Sequence, residues 1–353
     1  MGRERELWLC LSGGNALGAY HAGAYDALSA AGAAPIRIAG ASVGAIMGAI
    51  IAGNAPEDRV DRLRQFWGHA AQYETALPMA GAFSSHRAGE WLSLLQTLAY
   101  GRTGLFHRTL PSLLPLLPGT RSSAYLFDTS PLRKTLSELV DFGRLSDGPV
   151  RLLATAVDLE TGEDVTFDSH SGGIELDHLM ASAAFPIAFP PVKVDGRLCV
   201  DAGVSANLPI APLFASNDAD DVLCLAFDLV PARGRAPDSL DDAVKRAQDL
   251  IFASQSRHAL QAITSSATSD SSAKAAIVHI SYDGNDQEIG GKSLEFSAQS
   301  IRRRWAAGKA ETEKVLARWA ELNQGDGLSI FRLQDDQVKR LRWDSPRGAA
   351  SPT

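Results

Sequence analysis

The side chain best suited to act as a nucleophile is that of Ser42, at the centre of the pentapeptide GASVG. Its flanking glycines, Gly40 and Gly44, let a chain bend sharply from a strand into a helix. The hydroxyl then stands at the sheet edge, where the helix N-terminus favours developing negative charge. The pentapeptide alone is weak evidence, because small residues are common at such turns. Apolar strand-like residues before it and a helical pattern after it supply the context that a nucleophile elbow needs.

A glycine-rich loop, GGNALG at positions 13–18, precedes this elbow and follows the first predicted strand. Successive unhindered N–H groups at a helix start bind anions. A dinucleotide-binding fingerprint would need glycine at Asn15 and an acidic residue at the end of the next strand, and both are missing. The loop therefore predicts an oxyanion hole built from the N–H groups of Gly13, Gly14 and Asn15. A tight turn without function is the alternative.

A candidate base follows much later, at Asp201 in the tripeptide DAG, with Asn207 shortly after it. An aspartate at a strand end is more often a turn former or a helix cap than a base. Asp201 gains weight only in combination with Ser42 and the glycine-rich loop.

The elements that must position these residues alternate between strand and helix. Short apolar runs at Leu7–Leu11 and Ile36–Ala39 are each followed by a special loop and a helical pattern, which predicts a parallel sheet with right-handed crossovers. Both loops then lie at the carboxyl ends of neighbouring strands, where open α/β sheets bind ligands. The fold class is α/β, a mostly parallel central sheet flanked by helices. Further strands are expected at 150–157, 164–167, 191–200 (a hairpin turned at 195–196), 222–229 and 276–281, and further helices at 176–184, 243–263 and 298–319.

Four blocks in order resemble the patatin-like phospholipase family: the glycine-rich loop, GASVG, the proline-rich run ASAAFPIAFPPV at 181–192, and DAG. The resemblance covers about residues 7–215, and RRRW within 300–305 is similar to a C-terminal segment of one bacterial branch. It implies a patatin-like three-layer architecture and a metal-independent serine acyl-ester (lipid) hydrolase without a cofactor. It also implies a Ser42–Asp201 dyad without histidine and the oxyanion loop of Gly13, Gly14 and Asn15.

Three positions depart from the family pattern. Asn15 replaces a loop glycine, Leu17 replaces the usual basic residue, and Ala202 replaces a glycine after the aspartate. Asparagine tolerates positive φ better than other non-glycine residues. An alanine forced to positive φ would cost about 1 kcal/mol and could displace Asp201. Leu17 removes a charge that could anchor acidic head groups, whereas Asn15 and Ala202 motivate an alternative function as a catalytically weak or inactive binding or regulatory module.

A second alternative is an α/β-hydrolase esterase with a Ser-Asp-His triad. Ser42, Asp201 and either His258 or His279 satisfy its chain order. His258 falls on a predicted helix and His279 inside a predicted strand, so structural roles are favoured for both. Only two predicted strands precede Ser42, which also counts against this fold.

Composition bounds the remaining possibilities. The 353 residues are 45% hydrophobic and 21% charged, with a formal net charge of -7, which is typical of a globular protein without a nucleic-acid footprint. Three scattered cysteines and no ligand-like spacing predict neither disulfides nor a metal site. The most apolar stretch, 39–53, is shorter than the roughly 20 residues of a membrane span, and no signal sequence is evident. We expect a soluble, cytoplasmic protein, with peripheral contact to a membrane or lipid surface left open.

The chain divides into a catalytic core over 7–215 with a helical insertion at about 56–131, strands and helices over 216–323 that complete or extend the core, and a polar, flexible tail over 324–353. The insertion either closes the core or forms an acyl-chain tunnel or lid. Arginines 302–304 could meet an anionic surface or form a solvated helix face. Phospholipid, lysophospholipid, glyceride, thioester or polyester substrates, transfer instead of hydrolysis, and the oligomeric state stay open. The apolar residues of the insertion are Trp67, Phe83, Trp91, Leu95, Phe106, Leu113, Leu114 and Leu117.

Overall fold

A computed structural model describes residues 5–72, 86–109, 125–216, 221–266, 274–284, 288–323, 327–334 and 337–341. The strands in chain order are β1 Glu6–Leu11, β2 Arg37–Ala41, β3 Gly101–Arg102, β4 Phe106–Arg108, β5 Phe127–Asp128, β6 Arg151–Asp158, β7 Asp164–Asp168, β8 Val192–Val194, β9 Arg197–Asp201, β10 Asp221–Asp228, β11 Lys274–Ser281, β12 Leu328–Gln334 and β13 Gln337–Arg340. The helices are α1 Ala19–Ala30, α2 Val43–Ala52, α3 Arg59–Ala71, α4 His86–Tyr100, α5 Ser130–Leu139, α6 Phe142–Asp147, α7 Leu176–Ser182, α8 Leu240–Ser266 and α9 Ala298–Leu316.

The central sheet has the order β13-β12-β11-β10-β1-β2-β6-β9-β8, with β7 also paired to β6. The pairs from β12 through β11, β10, β1 and β2 to β6 are all parallel. The strands at the margins, β13, β7, β9 and β8, pair antiparallel. The predicted α/β class with a mostly parallel sheet is confirmed, as is the hairpin turned at Asp195–Gly196.

Helices cover both faces of the sheet. Because successive side chains of a strand point to opposite sides, the residues of one strand contribute alternately to two apolar clusters. In β1, Leu7, Leu9 and Leu11 join the larger apolar cluster, in which α1 and α2 take part. Trp8 and Cys10 join a second cluster with Leu260 of α8. The central strands are apolar on both faces for this reason, and the result is a three-layer packing of helices, sheet and helices.

Strand register brings the ends of β2 and β9 together. Ala41, the last residue of β2, pairs with Thr155 of β6, and Asp201, the last residue of β9, pairs with the next residue, Ala156. Since β7 also pairs with Thr155 and Ala156 and a strand has only two edges, β2 and β9 share the other edge of β6. They meet carboxyl end to carboxyl end, so Ser42 and Asp201 become neighbours although they are distant in sequence.

The insertion packs on this core as α3, α4 and a small antiparallel sheet of β3, β4 and β5. Leu63, Phe66 and Trp67 of α3 are buried in the larger cluster. Within the described ranges, the buried face of α3 in the insertion is thus part of the hydrophobic core.

The C-terminal part continues the same sheet. Strands β10 and β11 are central members of the sheet. The expected flexible tail needs correction where the structure describes it, since β12 pairs with β11 and β13 pairs with β12. The physical reason is the run LSIF at 328–331, whose Ile330 and Phe331 are buried in the two clusters.

The cysteines and the helices have two further properties. Cys10, Cys199 and Cys224 are buried free thiols. No helix in the described ranges has an apolar stretch long enough to cross a bilayer.

Candidate active site

Ser42 occupies a strained turn between β2 and α2. Its φ is 54° and its ψ is -125°, a region that a residue with a side chain adopts only when the surroundings impose it. The turn also packs tightly against β1. A Cβ on Gly44 would lie 2.1 Å from the Leu11 carbonyl oxygen, so only glycine fits at position 44. The Ser42 N–H donates to Ser182 Oγ at 3.0 Å, and that hydroxyl donates to the Thr155 carbonyl at 2.6 Å. GASVG therefore forms a sharp strand-to-helix turn with Ser42 between β2 and α2.

Asp201 faces Ser42 and is 2% exposed. The Ser42 hydroxyl donates a hydrogen bond to its carboxylate, and the Gly203 N–H donates to Oδ1 at 2.6 Å. Burial raises the pKa of Asp201 to about 7, and these two hydrogen bonds offset only part of that effect. A carboxylate that titrates near neutral pH beside a hydroxyl has the pKa of a general base.

The glycine-rich loop follows β1 and forms a 3₁₀ turn over Asn15–Gly18. Within the described chain, the N–H groups of Gly14 and Asn15 have no acceptor, and both residues line the same cavity as Ser42. Asn15 adopts a φ of 51°, so its conformation is the one that asparagine tolerates. Gly14 and Asn15 thus line the cavity beside Ser42 with N–H groups that have no acceptor among the described residues.

Gly13 corrects one expectation. Its N–H donates to the Asn207 carbonyl at 3.0 Å, so it is not available to an oxyanion. Gly13 instead provides space, because a Cβ there would lie 3.2 Å from Ser42 Cβ and 2.6 Å from Asn207 Oδ1. The donors that remain in the loop are Gly14 and Asn15.

The departure at position 202 has no backbone cost. Ala202 is not among the residues with positive φ, so the substitution of glycine does not force Asp201 away from Ser42. Together with the geometry of Asn15, this removes the two observations that motivated a binding or regulatory module.

Neither histidine proposed for a triad reaches the site. His279 lies in β11, and its Nε2 is 3.2 Å from Asp228 Oδ2. His258 lies exposed on α8, as predicted for a helical residue. Asp201 has Ser42 and the Gly203 N–H as its hydrogen-bond partners instead.

A cavity of about 720 Å³ opens beside Ser42 and Asp201, a volume typical of small-molecule sites. Its lining is mostly apolar. Besides the loops that carry Asn15, Ser42 and Asp201, it comes from the insertion, the proline-rich block and the C-terminal segment. Buried aromatic side chains line its inner part, namely Phe66, Trp67, Phe106, Phe127 and Phe296. Exposed apolar side chains, 37% to 76% accessible, also line it: Leu126, Phe185, Ile187, Val204 and Ile251.

The insertion residues named from the sequence divide into three groups. Trp67 and Phe106 are buried and line the cavity, so they both close the core and shape the site. Trp91 and Leu95 lie exposed on α4, outside the lining. Residues 83, 113, 114 and 117 lie outside the described residues.

Three residues at the site were missed as functional candidates. Ser182 and Asn207 lie in blocks that the sequence made conspicuous, the proline-rich run and the stretch after DAG. Gln255 of α8 contacts Gly203 and Asn207 and has no signal in the sequence. Among the described residues no group of three or more histidine, cysteine or acidic side chains could hold a metal ion.

Comparison with family profiles gives two matches. A profile of patatin-like phospholipases matches residues 9–214, more than half of the chain. A second profile, described as patatin phospholipase, matches residues 232–326.

Curated relatives include uncharacterized NTE family proteins of Mycobacterium bovis and Mycobacterium tuberculosis, 27% identical over 232 residues. The alignment covers 65% of this chain and 52% of each relative. The chain thus spans about half the length of the curated relatives it matches.

Two solved structures also align. VipD from Legionella pneumophila has a TM-score of 0.41 and 14% identity over 90% of this chain and 67% of that one. ExoU, in complex with SpcU from Pseudomonas aeruginosa, has a TM-score of 0.36 and 17% identity over 91% of this chain and 53% of that one.

Proposed function

The chain belongs to the patatin-like phospholipase family, as the sequence blocks indicated, and from this premise we propose that it is a serine acyl-ester hydrolase acting on lipid esters, with Ser42 as nucleophile and Asp201 as base. The observation that carries the proposal is the hydrogen bond from the strained Ser42 to a buried carboxylate whose pKa is about 7, at an apolar cavity.

In the first half of the reaction, Ser42 Oγ attacks the ester carbonyl carbon while its proton passes to Asp201. The electron pair of the carbonyl moves to its oxygen, and the N–H groups of Gly14 and Asn15 donate hydrogen bonds to the resulting oxyanion. The positive end of α2, which begins at Val43, favours the same charge. When the intermediate collapses, Asp201 returns the proton to the leaving alkoxide, and an acyl-serine remains.

In the second half, water replaces the alcohol. Asp201 accepts a proton from water as the water oxygen attacks the acyl carbon. The proton then passes to Ser42 Oγ as the fatty acid leaves. One carboxylate serves both halves because it is ionised at the start of each. No histidine is required.

The cavity supports a lipid acyl group as the substrate. Its inner aromatic lining offers apolar surface to a hydrocarbon chain, and each buried methylene contributes roughly 0.8 kcal/mol. The exposed apolar side chains around the cavity would otherwise face water, which is typical of a surface that meets another apolar phase. We therefore extend the proposal to peripheral contact with a lipid surface.

Hydrolysis of p-nitrophenyl esters from acetate to palmitate tests the proposal. We expect turnover in the wild type, unaffected by EDTA, and a loss of about a thousandfold or more in Ser42→Ala and Asp201→Asn. Ser205→Ala and Asp195→Asn serve as matched controls, because both residues are exposed and lie in or beside the β8–β9 region. No turnover at any chain length by folded wild type, or full turnover in Ser42→Ala, would overturn the proposal.

Adsorption to phosphatidylcholine vesicles tests the lipid-surface contact. Ile187 is 76% exposed with a φ of 73°, which asparagine adopts more readily than isoleucine. Ile187→Asn should therefore weaken adsorption about tenfold without backbone strain. Leu240→Asn, at an exposed leucine outside the cavity lining, is the control, and equal adsorption by the two variants would contradict the contact.

A further inference from the structure

The segment over 232–326, which the second family profile matches, contacts both loops of the proposed catalytic site. Helix α8 reaches the loop after Asp201, and α9 reaches the turn that contains Asn15. These contacts are polar and specific, and neither helix supplies a residue to the dyad itself.

Gln255 of α8 binds the loop after Asp201 at two points. Its Oε1 accepts the Asn207 N–H at 2.9 Å, and its Nε2 donates to the Gly203 carbonyl at 3.2 Å. The Gly203 N–H, on the same residue, donates to Asp201. The side chain of Asn207 in turn donates to the Gly13 carbonyl at 3.3 Å. The Gln255 side-chain amide thus holds both Gly203, which hydrogen-bonds Asp201, and Asn207, which hydrogen-bonds Gly13.

Arg304 of α9 binds the other loop. Its side chain is fully buried, and Nη1 donates to the Ala16 carbonyl at 3.2 Å and to the Glu295 carbonyl at 2.7 Å. Glu288 holds the guanidinium from the opposite side, at 3.0 Å from Nε and 2.6 Å from Nη2. Because Ala16 follows Asn15 directly, the position of this carbonyl fixes the turn that presents the Gly14 and Asn15 N–H groups.

Close backbone packing makes α9 a rigid support for this contact. A Cβ on Gly308 would lie 2.0 Å from the Tyr20 carbonyl oxygen, and a Cβ on Gly23 would lie 1.9 Å from that of Trp305. Helices α1 and α9 therefore touch along their backbones, which only glycine permits. Arg304 is anchored on the helix that packs directly behind the glycine-rich loop.

We propose that Gln255 and Arg304 are positioning residues, through which the C-terminal segment holds the base loop and the oxyanion loop in register. The proposal rests on the proposed hydrolase function. A displacement of about 1 Å in a catalytic group can lower a rate about 100-fold, so loss of either contact should reduce kcat far more than it raises KM.

The first arm of the test compares Gln255→Leu with Gln261→Leu on the same helix, where Gln261 lies outside the cavity lining. The groups that set the pKa of Asp201, besides burial, are the Ser42 hydroxyl and the Gly203 N–H. Loosening Gly203 weakens one of these hydrogen bonds, so in Gln255→Leu the acid limb of kcat/KM should move upward by about half a pH unit or more. We expect kcat to fall about 10- to 100-fold with KM within twofold, and no change in Gln261→Leu.

The second arm compares Arg304→Lys with Arg303→Lys. Both arginines bind Glu288, but only Arg304 contacts the glycine-rich loop. A trifluoromethyl ketone with an alkyl chain is the probe: Ser42 Oγ adds to its carbonyl carbon, the proton passes to Asp201, and a hemiketal oxyanion forms. The ¹⁹F NMR titration of that adduct reports the hemiketal pKa, which should rise by about one unit or more in Arg304→Lys and stay unchanged in Arg303→Lys. If Arg304→Lys does not fold, Arg304→Met combined with Glu288→Met replaces the buried pair by apolar side chains and carries the same expectation.

The outcomes separate the two levels of the proposal. An inactive wild type, or no adduct with the ketone, overturns the hydrolase function itself. An active wild type with an unchanged acid limb in Gln255→Leu and an unchanged hemiketal pKa in folded Arg304 variants leaves the function standing and overturns the positioning roles. A shift in each variant and none in its matched control supports them.

Discussion

Two buried carboxylates in this molecule have opposite pKa shifts. Asp201 is 2% exposed and Glu288 is 1% exposed, so both have lost nearly all contact with water. Burial raises the pKa of Asp201 to about 7. Burial also acts on Glu288, but the guanidinium groups of Arg304 and Arg303 outweigh it and hold the pKa of Glu288 at about 2.

The difference lies in the partners and not in the depth of burial. Glu288 receives two hydrogen bonds from Arg304 and one from the Tyr282 hydroxyl at 2.8 Å. Asp201 receives hydrogen bonds from a neutral hydroxyl and a neutral amide, and no cation in the described part of the chain contributes to its pKa. A buried charge that is paired is held ionised and supports the fold, whereas a buried carboxylate without a cation remains able to take up a proton. The second property is the one that a general base requires.

Neutralising each carboxylate with its amide is the sharpest test of this contrast. Asp201→Asn removes the proposed base, so kcat/KM should fall about 10⁴-fold. Glu288→Gln reaches the site only indirectly, through Arg304 and its contact with the glycine-rich loop, so we expect a loss of about tenfold or less. Rates on p-nitrophenyl butyrate measure both, and comparable losses in the two variants would break the distinction.

Stability should respond in the reverse order. Glu288→Gln removes the nearer of the two carboxylates that pair with the buried Arg304, the other being Glu295 at 3.6 Å, and should cost about 3 kcal/mol of unfolding free energy. Asp201→Asn removes an uncompensated carboxylate and should stabilise the protein at pH 8. Urea unfolding at pH 8 measures both changes, and a destabilised Asp201→Asn would contradict the assignment of Asp201 as an uncompensated charge.

The pH dependence of stability should also differ in sign. As pH rises from about 4 to about 7, the unfolded state releases the Asp201 proton while the folded state retains it, so this group lowers stability across that window and has no further effect above about 7. The advantage of Asp201→Asn over wild type should therefore grow on the order of 2 kcal/mol between pH 5 and pH 8.

Glu288 acts oppositely, since its contribution is present above about pH 4.5 and is lost as pH falls toward about 2. Wild type should lose stability on acidification through that range more steeply than Glu288→Gln. Parallel urea curves for the variants at all pH values would show that neither shift exists.

The smallest expected effect is on the preference for acyl-chain length. The apolar cavity beside Asp201 is proposed to hold the acyl chain, so its lining should set that preference. Leu98 of α4 lines the cavity, whereas Leu95 on the same helix is exposed outside it. Leu98→Phe should shorten the space for the chain and lower kcat/KM for the longest esters about fourfold per displaced methylene. Leu95→Phe is the matched control, and identical chain-length profiles for both variants would remove Leu98 from the acyl site.

Much of the site could be predicted from sequence, because local patterns encode it. A strand–helix elbow requires glycine at positions 40 and 44 for steric reasons, and the order of loop, elbow and DAG brings Ser42 and Asp201 to one sheet edge. The availability of individual N–H groups could not be predicted: the Gly13 amide is taken by Asn207, a contact across 194 residues. The tail was misjudged because its short run LSIF lies among polar residues and gains stability only from pairing with β11.

The roles of the arginine run were also beyond sequence reasoning. Three consecutive arginines gave no indication of which would be buried, yet Arg302 is exposed, Arg303 is half-buried and Arg304 is fully buried. The partners of Arg303 and Arg304 lie elsewhere in the chain, Glu90 on α4 and Glu288 in the stretch before α9. Such long-range ion pairs depend on the packed helices and leave no local pattern.

The most direct test of the account is the rate at which a fluorophosphonate labels Ser42 as a function of pH, in wild type and in Asp201→Asn. The dyad predicts that labelling of wild type rises through a single ionisation near pH 7, and that Asp201→Asn reacts slowly with no such limb. Labelling of wild type that is independent of pH, or the same limb in Asp201→Asn, would contradict the claim that Asp201 activates Ser42.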